Sequence, residues 1–140
     1  PPGIVLRFPW VHIREGRAFV SGHLPQEPDG HLAGPFGKVG REVTVDEAVL
    51  LARKTGLGMI ASLARELGDL DRISGWNRVF GMVNSTPDFD RQPVVLNGFS
   101  ELVLEAFGPD VGRHARSAVG MAALPLGVAV EIEAEVALRA

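Results

Sequence analysis

The stretch HARSAVGMAALPLGVAVEIEAEV, His114 to Val136, reads as two strands joined by a short turn. Side chains alternate across a strand, so Arg116, Ala118 and Gly120 share one face of the first, and Ser117, Val119 and Met121 share the other. In the second strand Val128, Val130, Ile132, Ala134 and Val136 form an unbroken apolar face, and Glu131, Glu133 and Glu135 point the other way. One face therefore seeks a core. The other carries carboxylates that need water, a partner or a chemical task. Arg116 fits two descriptions: a surface arginine paired with a strand glutamate, or a planar fork that receives a ligand carboxylate with small neighbours leaving room. One of the glutamates could likewise activate water as a general base while the others keep an exposed face solvated.

Working outward, the 140 residues suit a single domain over 1–140, enough to bury roughly two-thirds of the unfolded surface. Apolar residues make up 46% and charged residues 22%, the balance of a chain that folds. A net charge of −3 supplies no general attraction toward nucleic acid or anionic lipid. The chain has no cysteine, which excludes disulfides and thiolate chemistry and fits a cytoplasmic location. The start, PPGIVLRFPWV, lacks a basic region followed by a long apolar run, and no segment approaches the ~20 apolar residues of a membrane span. Asn84-Ser85-Thr86 matches a glycosylation acceptor, which without a secretion signal is expected to go unused.

VHIREGRAFVSGHLP alternates around Glu15-Gly16 and predicts a hairpin with strands near 10–14 and 17–23. Residues 24–43, rich in proline and glycine, predict a long surface loop of the kind that lines sites. Thr44 and Glu47 fit a capping box, and Val49, Ala52, Met59, Ile60, Leu63 and Leu67 follow helical spacing up to Gly68. Gly56 and Gly58 inside that helix suggest close approach to the sheet, or a local break. WNRVFGMVNS predicts a strand. Pro93 opens a second helix whose Val95, Phe99, Leu102, Val103 and Ala106 share a face. With the closing hairpin the order is β-β-α-β-α-β-β, an α+β fold with two helices on one face of a mixed sheet.

Three tempting motifs fail on their spacing. GPFGKVG, Gly34 to Gly40, has Val39 where a phosphate loop needs Ser or Thr. His12, His23, His31 and His114 show no paired metal-ligand spacing, so no metal is expected. Ser21 and His23 merely share a strand face, without the strand-turn-helix elbow of a hydrolytic serine.

RAFVSGHLP, LNGFSELVLEAFG and above all ARSAVGMAALPLGVAVEIEAEV resemble the Rid/YjgF family of reactive-intermediate deaminases, also called endoribonuclease L-PSP proteins, in its chorismate mutase-like branch. The resemblance runs from about Trp10 to Leu138. It implies a homotrimer with sheets around a central barrel, helices outside and a ligand cleft between each pair of subunits. In the deaminating branch an arginine holds the carboxylate of a 2-imino acid while water attacks the imine carbon, releasing ammonia and a 2-oxo acid without a cofactor. Residue by residue, the resemblance makes Arg116 the clamp, Glu131 the water-positioning carboxylate, Ser21 and Gly22 cleft-wall residues, Asn97 a polar contact, and Ala118 a backbone contributor where cysteine is frequent. Departures are the complete lack of tyrosine, with Phe8 or Trp10 nearest the usual position, and His23 in place of a frequent glutamine.

The leading expectation is hydrolytic deamination of a small imine or enamine acid. The alternative is a noncatalytic trimeric carboxylate-binding or regulatory protein, which needs Arg116 but not Glu131. RNA cleavage, implied only by the family's older name, is disfavoured by the net charge and the lack of a basic stripe. If Arg116 and Glu131 share one task, a hairpin through LPLG must pair residues whose numbers sum to an odd value, which sets Arg116 on the glutamate-bearing face.

Overall fold

The computed structural model describes Gly3 and residues 5–140. Pro1, Pro2 and Ile4, part of the start read above for a leader, lie outside the described residues.

Strands β1 (Val11–Arg14) and β2 (Arg17–His23) form the expected hairpin. Glu15 and Gly16 both take positive φ, 51° and 75°, the twist a two-residue connection needs to match its flanking strands. Helix α1 (Val45–Leu67) starts at the expected cap. The Glu47 amide donates to Thr44 Oγ1 at 3.1 Å and the Thr44 amide donates to Glu47 Oε1 at 2.9 Å, so two otherwise orphaned donors are satisfied. Gly68 ends it with φ 80°. Strand β3 (Ile73–Asn84) follows, then α2 (Gln92–Gly112), with Pro93 in its first turn and a break at Gly108 before Pro109. Strands β4 (Ala115–Met121) and β5 (Val130–Leu138) complete the chain.

The five strands form one sheet in the order β1-β2-β5-β3-β4, with β3 and β4 parallel and every other pair antiparallel. Both helices cover one face. The core fills the layer between them with Val20, Val79, Val83, Ile132 and Val136 from the sheet and Leu51, Met59, Leu63, Val95, Phe99 and Val103 from the helices. Ala106, expected on the buried side of α2, is exposed. No helix among the described residues is long and apolar enough to cross a membrane.

Two expectations are corrected. Gly56 does not approach the sheet: a Cβ there would sit 2.9 Å from Leu102 and 3.0 Å from Phe99, so this glycine lets α1 close on α2. Gly58 faces open space. The more consequential correction concerns the closing hairpin, because β4 and β5 are not neighbours. β3 lies between them: β3, α2 and β4 form a parallel crossover unit, and β5 returns antiparallel on β3's other side. Val79 pairs with Arg116 on one side and Ala134 on the other, so Arg116 stands level with the apolar series of β5. Arg116 and Glu131 therefore leave opposite faces of the sheet, the reverse of the odd-sum register.

The helix pair also depends on Gly98, where a Cβ would fall on the Val49 carbonyl oxygen. Overpacking of this kind costs about 1–3 kcal/mol, and backbone yields less readily than a side chain. Gly98→Ala is expected to lower the urea midpoint accordingly. An unchanged midpoint would show that the helices can separate freely.

Residues 24–43 form the expected loop, tied down at its far end. Lys38 Nζ donates to Asn84 Oδ1 at 2.8 Å and to the Ala122 carbonyl at 2.5 Å, and Asn84 Nδ2 donates to the Val128 carbonyl at 3.2 Å. The lysine of GPFGKVG is thus committed to the fold, and the asparagine of the glycosylation pattern is buried.

Candidate functional site

Arg116 sits on the edge strand β4, on the helix-covered face, and reaches the first half of α2. Its Nη1 donates to Asn97 Oδ1 and to Ser100 Oγ, each at 3.0 Å, and its Nη2 donates to the Pro93 carbonyl at 3.3 Å. These oxygens lie on one stripe of the helix, at i, i+4 and i+7. Ser100 is held in turn by His114, whose Nδ1 lies 2.7 Å from the Gly112 carbonyl and whose Nε2 lies 2.9 Å from Ser100 Oγ. A carbonyl can only accept, so Nδ1 is the donor. With Nδ1 as donor, Nε2 accepts the Ser100 proton, leaving the serine oxygen to accept from Arg116.

Among the described residues no carboxylate pairs with Arg116. Partial burial without a counter-ion draws its pKa down from the ordinary value, through desolvation alone. The result is an oriented guanidinium with donor capacity left over, beside a pocket of about 270 Å³ that Leu104, Arg113 and His114 help to line.

Glu131 lies on the open face, level with Met82 of β3 and Val119 of β4. Pairing between β2 and β5 slips there: Val20 pairs with Ala134 and His23 with Ile132, which leaves both Ser21 and Gly22 against Glu133. A Cβ on Gly22 would fall on Glu131 Oε2, so the glycine makes room for this carboxylate. Burial pushes the Glu131 carboxyl above its usual range, and the nearby Glu133 charge adds to the rise. Ser21 turns toward the preceding segment, with Oγ donating to the Pro9 carbonyl at 2.9 Å.

The expected site residues thus fall into two groups. Arg116, Asn97 and Ala118 gather on the helix side of the β4 edge, while Glu131 and Gly22 gather on the open face beside β2. Sequence reasoning missed Ser100, His114 and the Pro93 carbonyl. The signal available for Pro93 and Ser100 was their helical spacing from Asn97; His114 offered none beyond its place two residues before Arg116.

Residues 10–134 match the family model described as "YjgF/chorismate mutase-like, putative endoribonuclease". The chain belongs to this family. Among curated relatives, Protein TCP17 of Trypanosoma cruzi is 44% identical over 120 residues, covering 86% of this chain and 74% of the relative. The crystal structure of Atu1372 from Agrobacterium tumefaciens, a protein of unknown function, is similar with a TM-score of 0.89 and 38% identity over 97% of this chain and 86% of that one. A "putative endoribonuclease" from Shewanella oneidensis MR-1 superposes with a TM-score of 0.90 and 29% identity, covering 97% and 88% of the two chains. The YjgF-like fold therefore holds along nearly the whole chain.

His23, adjoining the Gly22 bulge, points away from Glu131 into the helix side. Its Nδ1 lies 2.6 Å from the Ser21 carbonyl and its Nε2 lies 2.8 Å from Ser62 Oγ of α1. Desolvation lowers its pKa below 6.5, against the opposing pull of the Ser21 carbonyl. As pH falls below 6.5 the unfolded chain takes up this proton before the folded chain does, so stability declines until the folded-state pKa is passed, at up to about 1.4 kcal/mol per pH unit. Urea midpoints at pH 7.5 and 5.5 are expected to differ more in the wild type than in His23→Gln. Equal differences would remove His23 as a source of acid sensitivity.

Proposed function

We propose that the protein hydrolyses a small 2-imino or enamine acid to a 2-oxo acid and ammonia, in a cleft to which one copy gives Arg116 and another gives Glu131. The observation that carries this reading is the oriented guanidinium of Arg116, which has three oxygen anchors and no carboxylate among the described residues. A fork so held favours a planar carboxylate by two parallel hydrogen bonds. Because Glu131 leaves the opposite sheet face, a shared site needs a second chain. The open face also exposes Phe19 and Val119, apolar side chains that a symmetric trimer would cover.

In this cleft the substrate carboxylate pairs with Arg116. Glu131, with its raised pKa, removes a proton from water as the water oxygen bonds to the imine carbon and the C=N π pair moves to nitrogen. Glu131 returns that proton to nitrogen to give a carbinolamine, and the hydroxyl proton then passes to the nitrogen as the C=O bond forms and the C–N bond breaks, releasing ammonia and the 2-oxo acid. Water is the only co-reactant. Ammonia release from freshly generated 2-iminopropanoate and related imino acids tests the reaction: acceleration is expected, and none across several substrates would remove the enzyme.

A second reading, a carboxylate-binding protein without catalysis, is favoured by one observation: in a single chain nothing aligns Glu131 with the anchored guanidinium. Glu131→Gln separates the two, since a binder keeps its affinity unchanged and has no rate to lose. RNA cleavage, named for the family and for the Shewanella oneidensis structure, is opposed by the net charge of −3 and the glutamates along the open face.

A further inference from the structure

Across the sheet from Glu131, on the helix side, a pocket encloses about 620 Å³, within the range of small-molecule sites. One wall is Trp10, whose ring lies 4.7 Å from that of His23 at 48°. The floor is an exposed stripe of α1 carrying Leu57, Gly58 and Ala61, where a Cβ on Gly58 would meet nothing within 4 Å. The opposite wall is a small antiparallel loop over 25–33, closed by the Gln26–Leu32 bridge and by the Gly30 amide donating to the Glu27 carbonyl at 2.9 Å. Lys54 ties that loop to α1 through Glu27 Oε1 at 2.7 Å.

The lining charges leave one cation without an anionic partner. Lys54 is matched by Glu27, and Asp29 lies 3.1 Å from the His31 ring at the exposed rim, with no ion pair joining it to Arg65. Arg65 has no carboxylate partner among the described residues; its Nη2 donates to Ser62 Oγ at 3.0 Å. Ser62 is buried and locked in turn. The Ser21 carbonyl fixes the His23 proton on Nδ1, so the neutral ring accepts the Ser62 hydroxyl at Nε2 and the serine oxygen remains to accept from Arg65. An arginine, a serine and a histidine thus form a chain that ends on backbone and orients a guanidinium at the pocket's edge, beside an indole and an apolar floor.

We propose that this pocket is a second small-molecule site, separate from the Arg116 and Glu131 cleft, that takes an organic monoanion with a flat apolar body: the carboxylate on Arg65, the ring against Trp10 and Leu57. A guanidinium oriented by Ser62 and free of a carboxylate partner among the described residues suits one ligand carboxylate. Glu27 and Asp29 on the rim disfavour a phosphate dianion. The indole and the apolar floor favour an aromatic acid over acetate.

Benzoate is the probe, titrated into the full chain by calorimetry and by tryptophan fluorescence, with acetate and phenyl phosphate as comparisons. Trp10 lines the pocket and Trp76, the other tryptophan, is buried in the core, so a benzoate-dependent emission change that disappears in Trp10→Phe reports this site. Benzoate is expected to bind at least tenfold more tightly than acetate or phenyl phosphate. Arg65→Ala, an exposed helix position where alanine preserves the fold, is expected to weaken it at least tenfold, and Arg116→Ala is expected to leave the Trp10 signal unchanged. The site is overturned if benzoate produces no Trp10 signal, if Arg65→Ala binds normally, or if phenyl phosphate binds more tightly. Loss of the signal in Arg116→Ala would assign the benzoate to the other cleft and equally overturn a separate site. Failure here leaves the imino-acid reaction untouched, because that reaction is read from ammonia release.

Discussion

Arg116→Ala is expected to weaken binding of a small 2-oxo or 2-imino carboxylate at least about tenfold while the chain remains folded. Removing one partner of a desolvated, hydrogen-bonded charge contact costs roughly 2–5 kcal/mol, and the partial exposure of Arg116 places it toward the lower end. The fold should tolerate the change. Asn97 is exposed and can turn to water, and Ser100 keeps its hydrogen bond to His114. Arg116→Lys should restore only part of the affinity, because a single ammonium cannot grip Asn97, Ser100, the Pro93 carbonyl and a ligand together. Calorimetry with pyruvate on the three proteins checks the order. Equal affinities would reduce Arg116 to an internal brace between β4 and α2.

Glu131→Gln is expected to lower the turnover of a 2-imino acid by about 10²–10⁴-fold, the usual contribution of a positioned general base, while pyruvate affinity changes little. The amide keeps the size of the side chain beside Gly22 but cannot take a proton from water. The pH dependence follows from the same environment. Only the ionised carboxylate acts as base, so the rate falls as pH drops through the Glu131 pKa. Burial, and secondarily the Glu133 charge, hold that pKa above the ordinary carboxyl value. Glu133→Gln removes the repulsion and should move the acidic limb to lower pH. A limb that stays in place would mean that another group limits the rate.

The alternation within each strand was legible in the sequence, and so were the capping box of α1, the Glu15-Gly16 turn and the Pro93 start of α2. All depend on residues close together in the chain. What could not be read locally was which strand lies beside which. Adjacent strands joined by a short segment commonly pair as a hairpin, and by that rule Arg116 was set against the glutamates of β5. The competing rule was also present: a strand, a helix and a strand in succession form a parallel crossover, which pairs β4 with β3. β3 therefore separates the two strands, and Arg116 comes level with Ala134. The glycines tell a similar story. Gly56 signalled a close approach, but only the packed structure shows that α2 makes it. Asn97 was placed from family resemblance, whereas Ser100 and His114 complete the anchor through contacts that span 14 to 16 residues.

Opposite faces for Arg116 and Glu131 make a strong demand on the proposed cleft: two chains must build it. Co-expression of Arg116→Ala and Glu131→Gln chains under different affinity tags, followed by purification through both tags, yields assemblies that contain both variants. Each chain carries what the other lacks. In a cyclic trimer every mixed assembly has one interface where an intact Arg116 meets an intact Glu131 from the neighbour, so about one-third of wild-type deaminase activity should return. Mixed trimers as inactive as either variant alone would contradict a cleft shared between copies.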